Sequence, residues 1–102
     1  MKIVNVTYTA KPEFVEQNKR NIQAVMAKLR EMNSGALDYT CCLGPDGKTF
    51  NHRALFASEA DEKILLTLPE FLHFQTELKA SGPEVPPKQE LLELVGSSRG
   101  QG

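Results

Sequence analysis

The spacing of apolar residues changes along this chain from every second residue to every third or fourth, and this change limits the available folds. Residues Lys2–Thr9 alternate between two faces, which predicts a strand. From Pro12 to Met32 the spacing becomes helical and predicts a helix of about five to six turns. The side chains expected on its buried side are Phe14, Asn18, Ile22, Val25, Met26, Leu29 and Met32. The segment Asn33-Ser34-Gly35 is expected to end it, with Gly35 able to act as a C-terminal cap.

A tight turn separates the next two alternating segments. Ala36 to Leu43 and Thr49 to Ala57 both alternate, and the sequence Gly-Pro-Asp-Gly at 44–47 lies between them. Proline fixes φ, aspartate hydrogen bonds to the backbone and glycine tolerates positive φ, so these residues favour a turn. The segments therefore predict a β-hairpin. One face of its second strand carries Phe50, His52, Ala54 and Phe56.

The remaining third of the chain predicts a broken helix followed by a strand. Ser58 begins a pattern typical of a helix N-terminus. The helix is expected to break near Leu68 and to restart at Pro69, because proline suits the first turn but not the interior. We expect this helix to reach Ser81. After a Pro-rich linker, the last strand is expected at Gln89 to Val95.

The resulting order, βαββαβ, predicts a ferredoxin-like α+β domain with an antiparallel sheet and helices on one face. We assign residues 1–96 to this single domain and residues 97–102 to a flexible Gly- and Ser-rich tail. Apolar pairs such as Leu91-Leu92 and Leu94-Val95 place hydrophobic side chains on both strand faces. A homodimer that packs sheet on sheet would cover the second face.

Composition excludes several classes of function. Twelve Lys and Arg balance thirteen Asp and Glu, giving a net charge of −1, which argues against a nucleic-acid or membrane-surface partner. The two cysteines, Cys41 and Cys42, are adjacent and point to opposite strand faces, so neither a shared disulfide nor a metal site is expected. The N-terminus does not resemble a signal peptide, and we expect a cytoplasmic protein.

Several segments together resemble the antibiotic biosynthesis monooxygenase-like family of dimeric α+β barrel proteins. They are the opening VNVTYTAKPE, the GPDG hairpin turn and LFASEADEKILLTLPEFLHF, and the resemblance covers roughly residues 2–96. The segment Leu68–Phe74 resembles the family's helix-opening Pro-x-Phe-x-x-Phe. The resemblance implies oxidation of polycyclic phenols or quinols by oxygen without an added cofactor. Other members of the family degrade haem.

The resemblance can be followed at individual positions. Asn5 falls where family members place a pocket asparagine. The chain contains no tryptophan, and Phe56 occupies the position of the family's common one. Leu65 and Glu70 replace frequent histidines, and His73 does not match the iron-ligand position of haem-degrading members. The resemblance therefore implies no bound cofactor here.

His52 is the candidate general base, and Asn5 is the candidate that orients a substrate oxygen. An imidazole with a near-neutral pKa on an apolar strand face could take a phenolic proton. An asparagine amide could stabilise developing negative charge. The alternatives are a structural histidine hydrogen bonded across the sheet or at a dimer interface, and a partly wet strand asparagine.

Five aromatic side chains are candidates for lining a substrate pocket. They are Tyr8, Tyr39, Phe50, Phe56 and Phe74. The alternative is a core position, which is the more common role of such tyrosines and the first expectation for the phenylalanines. The sequence thus favours an oxygenase-like enzyme acting on a small aromatic or quinol-type compound. The alternatives are a non-catalytic binding or stress-associated dimer of the same fold, and an isomerase or cyclase on this fold.

Overall fold

The computed structural model describes residues 1–32, 35 and 37–98. The elements follow in the predicted order. The strands are β1 (Lys2–Thr9), β2 (Leu37–Leu43), β3 (Thr49–Phe56) and β4 (Val85–Leu92), and the helices are α1 (Val15–Met32), α2 (Glu59–Leu66) and α3 (Pro69–Ser81). A short 3₁₀ helix, Pro12–Phe14, precedes α1. The predicted helix cap includes residues 33 and 34, which lie outside the described residues.

The four strands form one antiparallel sheet in the order β2-β3-β1-β4. This order brings β1 and β3, which are far apart in sequence, together at the centre. The register pairs Val6 of β1 and Cys41 of β2 with His52 of β3. The helices cover one face, so the predicted ferredoxin-like α+β fold is confirmed.

The core lies between that face and the helices. Its most deeply buried large side chains are Tyr8, Phe50 and Val25, each no more than 2% exposed. Alternation on β3 sends Phe50, Ala54 and Phe56 into this core, as predicted. On α1 the buried stripe is shifted relative to the prediction, because Val15 and Asn21 are also buried and Met32 is exposed.

Local signals set the helix boundaries. The Ser58 hydroxyl accepts a hydrogen bond from the backbone N–H of Asp61, which caps α2. Pro69 opens α3 because its missing N–H needs no partner in the first helical turn. Gly82 ends α3 with φ of 66°, a left-handed conformation that glycine adopts without strain.

The last strand differs from the prediction. It begins at Val85 and ends at Leu92, so Pro86 and Pro87 belong to the strand and not to a linker. Both prolines lie opposite Tyr8 at a register shift, which is the position of a β-bulge. Prolines are tolerated here because β4 is an edge strand.

The helices of the described residues leave the second face of the sheet, here called the open face, uncovered. It carries polar side chains such as Asn5, Asn51 and Arg53 beside apolar Leu55 and Leu92, so it is less apolar than predicted. All residues of β4 are exposed. Of the predicted tail, residues 99–102 lie outside the described residues. In the described part of the chain, no helix is long and apolar enough to cross a membrane.

Candidate functional site

A cavity of about 470 Å³ lies between the sheet and α3, beside the loop that leads to β4. Its volume falls in the range of about 300 to 1,000 Å³ that is typical of small-molecule sites. Phe71, Phe74 and Leu78 form its helical wall. Tyr8, Tyr39 and His52 supply polar groups from the sheet, and Gln75, Lys79 and Gln89 supply others.

His52 is the centre of the polar groups at this cavity. It is 4% exposed, and its imidazole is hydrogen bonded at both nitrogens. Nε2 lies 2.8 Å from the Tyr8 hydroxyl, and Nδ1 lies 2.6 Å from the Tyr39 hydroxyl. The Cys41 sulfur lies 3.5 Å from Nε2. Side chains of β1 and β2, the two strands beside β3, therefore contact the imidazole of His52.

Aromatic rings hold this arrangement in place. The His52 ring lies 5.3 Å, centroid to centroid, from both Tyr8 and Phe74. Tyr39 meets Phe71 edge to face at 6.2 Å. Such contacts fix ring planes as well as positions, so the two tyrosine hydroxyls are held against the imidazole before any ligand binds.

Burial determines the ionisation of these groups. Desolvation lowers the pKa of His52 from 6.5 to about 4, so the imidazole is neutral at pH 7. The near-neutral pKa expected from the sequence is therefore wrong, because the side chain is more deeply enclosed than its strand position alone indicated. Burial also raises the pKa of both Tyr8 and Tyr39, and raises the pKa of Cys41 to about 12. These three side chains remain protonated.

Asn5 does not share the cavity with His52. It is paired in register with Arg53, whereas His52 is paired with Val6, so Asn5 and His52 point to opposite faces of the sheet. On the open face, Asn5 Oδ1 accepts a hydrogen bond of 2.9 Å from the Asn51 amide. The expectation that Asn5 and His52 act in one pocket is corrected.

The five residues predicted to line the pocket lie at three different sites in the structure. Tyr8, Tyr39 and Phe74 line the main cavity. Phe56 lines a smaller adjoining cavity of about 190 Å³ that also reaches His52 and Tyr39. Phe50 stacks on Tyr8 at 5.5 Å on the core side.

The sequence analysis missed the role of Asn18. It was expected only to pack on the buried side of α1, but its amide Nδ2 donates a 2.8 Å hydrogen bond to the Tyr8 hydroxyl. Asn18 is completely buried, and within the described structure its Oδ1 has no hydrogen-bond partner. A polar residue in the middle of an apolar helical stripe was the signal that could have identified it.

Among residues 1–32, 35 and 37–98, no group of three His, Cys, Asp or Glu side chains could hold a metal ion. His73 is exposed on α3 and lies 3.6 Å from Glu77, away from His52. The side chains at the cavity offer hydrogen bonding by phenol, imidazole and amide groups and one ammonium group, that of Lys79, against an aromatic wall.

Solved structures share this architecture. An antibiotic biosynthesis monooxygenase matches with a TM-score of 0.78 and 15% identity over 94% of this chain and 100% of its own. PA3566 from Pseudomonas aeruginosa matches with a TM-score of 0.75 and 20% identity over 93% and 94%. SnoaB, a cofactor-independent oxygenase from Streptomyces nogalater, matches with a TM-score of 0.66 and 14% identity over 95% and 94%.

These similarities establish the fold. No protein-family model and no curated protein matches the sequence. The chain is thus a ferredoxin-like α+β protein with an aromatic cavity between sheet and helices. Its fold is that of the antibiotic biosynthesis monooxygenase-like proteins, as the sequence resemblance implied.

Proposed function

We propose that the cavity binds a small aromatic phenol or quinol-type compound and that the protein oxidises it with molecular oxygen, without a bound cofactor. The observation that carries this proposal is the Tyr8–His52–Tyr39 arrangement at the wall of a cavity of about 470 Å³. Phe71 and Phe74 provide ring surfaces for an aromatic ligand, and Tyr39 provides a hydroxyl for its oxygen. The fold shared with a cofactor-independent oxygenase supports the same proposal.

Such a reaction needs no external electron donor. When anthrone is oxidised to anthraquinone, one atom of oxygen becomes the new carbonyl, and the other leaves as water with the two hydrogens of the ring carbon. The protein must bind the substrate and favour its electron-rich enolate form. A hydroxyl donor directed at the substrate oxygen stabilises that negative charge as it develops.

The role of His52 in this proposal is to position Tyr39. Both ring nitrogens are already hydrogen bonded to tyrosines, so a substrate does not reach the imidazole directly. The low pKa of His52 also makes it a weak base in the empty cavity. We therefore replace the general-base role expected from the sequence with a positioning role through the hydrogen bond to Tyr39.

The same observations favour a second candidate function, non-catalytic binding of an aromatic compound. A site whose histidine is neutral and fully hydrogen bonded holds a ligand well but has no free base for proton abstraction. This candidate predicts binding in the same cavity without consumption of oxygen.

We also propose that two copies of the chain associate through the open face and the β4 edge. All eight residues of β4 are exposed, including Val85, Leu91 and Leu92. An exposed edge strand with apolar side chains is a surface that proteins normally cover. Analytical ultracentrifugation should show a dimer, and a monomer at all concentrations would contradict this assignment.

The test of function is oxygen uptake by the purified protein with a panel of anthrones, quinols and dihydroxynaphthalenes. We expect uptake with at least one compound and a drop of about tenfold or more in both His52→Ala and Tyr39→Phe. Asn5→Ala is the matched control, because it removes a polar strand residue from the opposite face, and it should retain activity. Binding without uptake would favour the second candidate. Activity that survives His52→Ala but not Asn5→Ala would contradict the site.

A further inference from the structure

A row of hydrogen bonds connects Asn18, Tyr8, His52 and Tyr39. One polar hydrogen of these side chains is not used within the row. Tyr8, His52 and Tyr39 together carry three hydrogens on oxygen or nitrogen when the imidazole is neutral. Only two of these hydrogens are used in the bonds on either side of His52. Which group keeps the third hydrogen determines what the cavity offers to a ligand.

At the buried end, the amide of Asn18 offers Tyr8 a donor and no acceptor. Its Nδ2 donates to the Tyr8 oxygen, so Tyr8 cannot direct its own hydrogen toward Asn18. Tyr8 is 1% exposed, and among the described residues His52 Nε2 is the one nitrogen acceptor within its reach. A buried hydroxyl without an acceptor is costly, and therefore Tyr8 donates to Nε2.

The opposite orientation of the amide is less favourable. It would turn Oδ1 of Asn18 toward Tyr8 and leave an NH₂ group with two hydrogens unpaired in the core. The observed orientation leaves only the carbonyl oxygen without a partner. Unpaired carbonyl oxygens are tolerated better than unpaired N–H groups. The Cys41 sulfur lies 3.5 Å from Nε2, and its protonated thiol is compatible with an acceptor at this nitrogen.

We infer that these hydrogen bonds all run in one direction, from Asn18 toward Tyr39, and that the Tyr39 hydroxyl hydrogen is left to donate to a ligand. Nε2 of His52 is then an acceptor, and the neutral imidazole carries its hydrogen on Nδ1. The Nδ1–H donates to the Tyr39 oxygen at 2.6 Å. Tyr39 is half-buried at the cavity wall and has no second hydrogen-bond partner among the described residues.

This direction specifies the chemistry of the ligand oxygen. The cavity recognises an acceptor, such as the carbonyl of an aromatic ketone or quinone or the oxygen of an ionised phenol. That ligand class rests on the proposed function, whereas the direction of the hydrogen bonds belongs to the ligand-free protein. Asn18 acts here as a positioning residue, since its amide is hydrogen bonded to Tyr8.

The direction is tested by nitrogen-15 NMR of the ligand-free protein, which distinguishes the two neutral tautomers of histidine. The chain has two histidines, so His73→Gln assigns the signals. We expect His52 to carry its hydrogen on Nδ1. A hydrogen on Nε2, or on both nitrogens at neutral pH, would overturn the inference whatever the activity measurements show.

Two variants of Asn18 distinguish an effect on the direction of the hydrogen bonds from an effect on the packing of this side chain. Asn18→Leu removes the amide but leaves Nε2 as the acceptor for Tyr8, so the tautomer should not change. Asn18→Asp, once its carboxylate carbon resonance shows that it is ionised, accepts from Tyr8 and should move the histidine hydrogen to Nε2. A folded variant with an ionised carboxylate and an unchanged tautomer would contradict the inference.

The ligand class is tested by the matched pair 1-tetralone and tetralin, which differ in one carbonyl group. In Tyr39→Phe we expect the affinity for 1-tetralone to fall about tenfold and that for tetralin to change less than about twofold. Equal losses for both compounds would overturn the assigned donor. If neither compound binds the wild-type protein, the proposed function fails, and the tautomer experiment still decides the direction.

Discussion

Acidification should destabilise this protein through His52 before its carboxylates are protonated. Burial lowers the pKa of His52 from 6.5 to about 4, so between these values the unfolded chain binds a proton that the folded protein does not. Stability therefore rises with pH in this window and is lost as the pH falls through it. Each pKa unit corresponds to about 1.4 kcal/mol, and acidification from pH 6.5 to pH 5 crosses about 1.5 units. The expected loss is about 2 kcal/mol.

The assay is urea unfolding at a series of pH values from about 7.5 to 4.5 for the wild type and for His52→Gln. Glutamine can still hydrogen bond to the tyrosines but does not titrate, and the exposed His73 is common to both proteins. In a thermal unfolding experiment, the same loss of about 2 kcal/mol would lower the Tm of a domain of this size by about 10 °C. Parallel stability curves for the two proteins would refute the deeply buried, neutral imidazole on which the site description depends.

Three further substitutions test the fold and the cavity. Gly82→Ala should destabilise the protein by about 1 kcal/mol in urea unfolding, because φ is 66° and a Cβ would lie 3.2 Å from the Lys11 ammonium group. The control Gly96→Ala should be nearly neutral, because there is open space around Gly96. Phe74→Ala should cost about 3 to 5 kcal/mol and weaken aromatic ligands in calorimetry, because this 4% exposed ring supports both core and cavity; a loss below about 1 kcal/mol would contradict its placement. Lys79→Met should weaken carboxylated aromatic ligands relative to neutral ones in a salt-dependent way, because Lys79 is the cationic side chain among the cavity residues; an equal loss for both ligand types would contradict this role.

The order of elements was predictable because each depends on local signals. Periodicity located the strands and helices, and Ser58 and Pro69 set helix starts that the structure confirms. The start of β4 was not predictable, because the tolerance of Pro86 and Pro87 depends on β4 being an edge strand. Strand order follows from long-range pairing, which no local pattern encodes.

The candidate site was predictable only in part. Alternation places His52 on the same face as Phe50, but it does not say how β1 is aligned with β3. That register puts Tyr8 beside His52 and sends Asn5 to the opposite face. The depressed pKa of His52 was also beyond the sequence, since it depends on the depth of burial beneath α3. The partnership of Asn18 with Tyr8 joins a helix and a strand through tertiary packing alone.

The central claim is that the cavity at His52 and Tyr39 is where an aromatic compound binds. Its most direct test is an anaerobic NMR titration of the labelled protein with anthrone, in which oxidation cannot obscure binding. We expect saturable shifts of the Tyr39, His52 and Phe74 resonances, with those of Asn5 on the open face unchanged. Shifts centred on Asn5, with the His52 and Tyr39 signals unmoved, would contradict the claim.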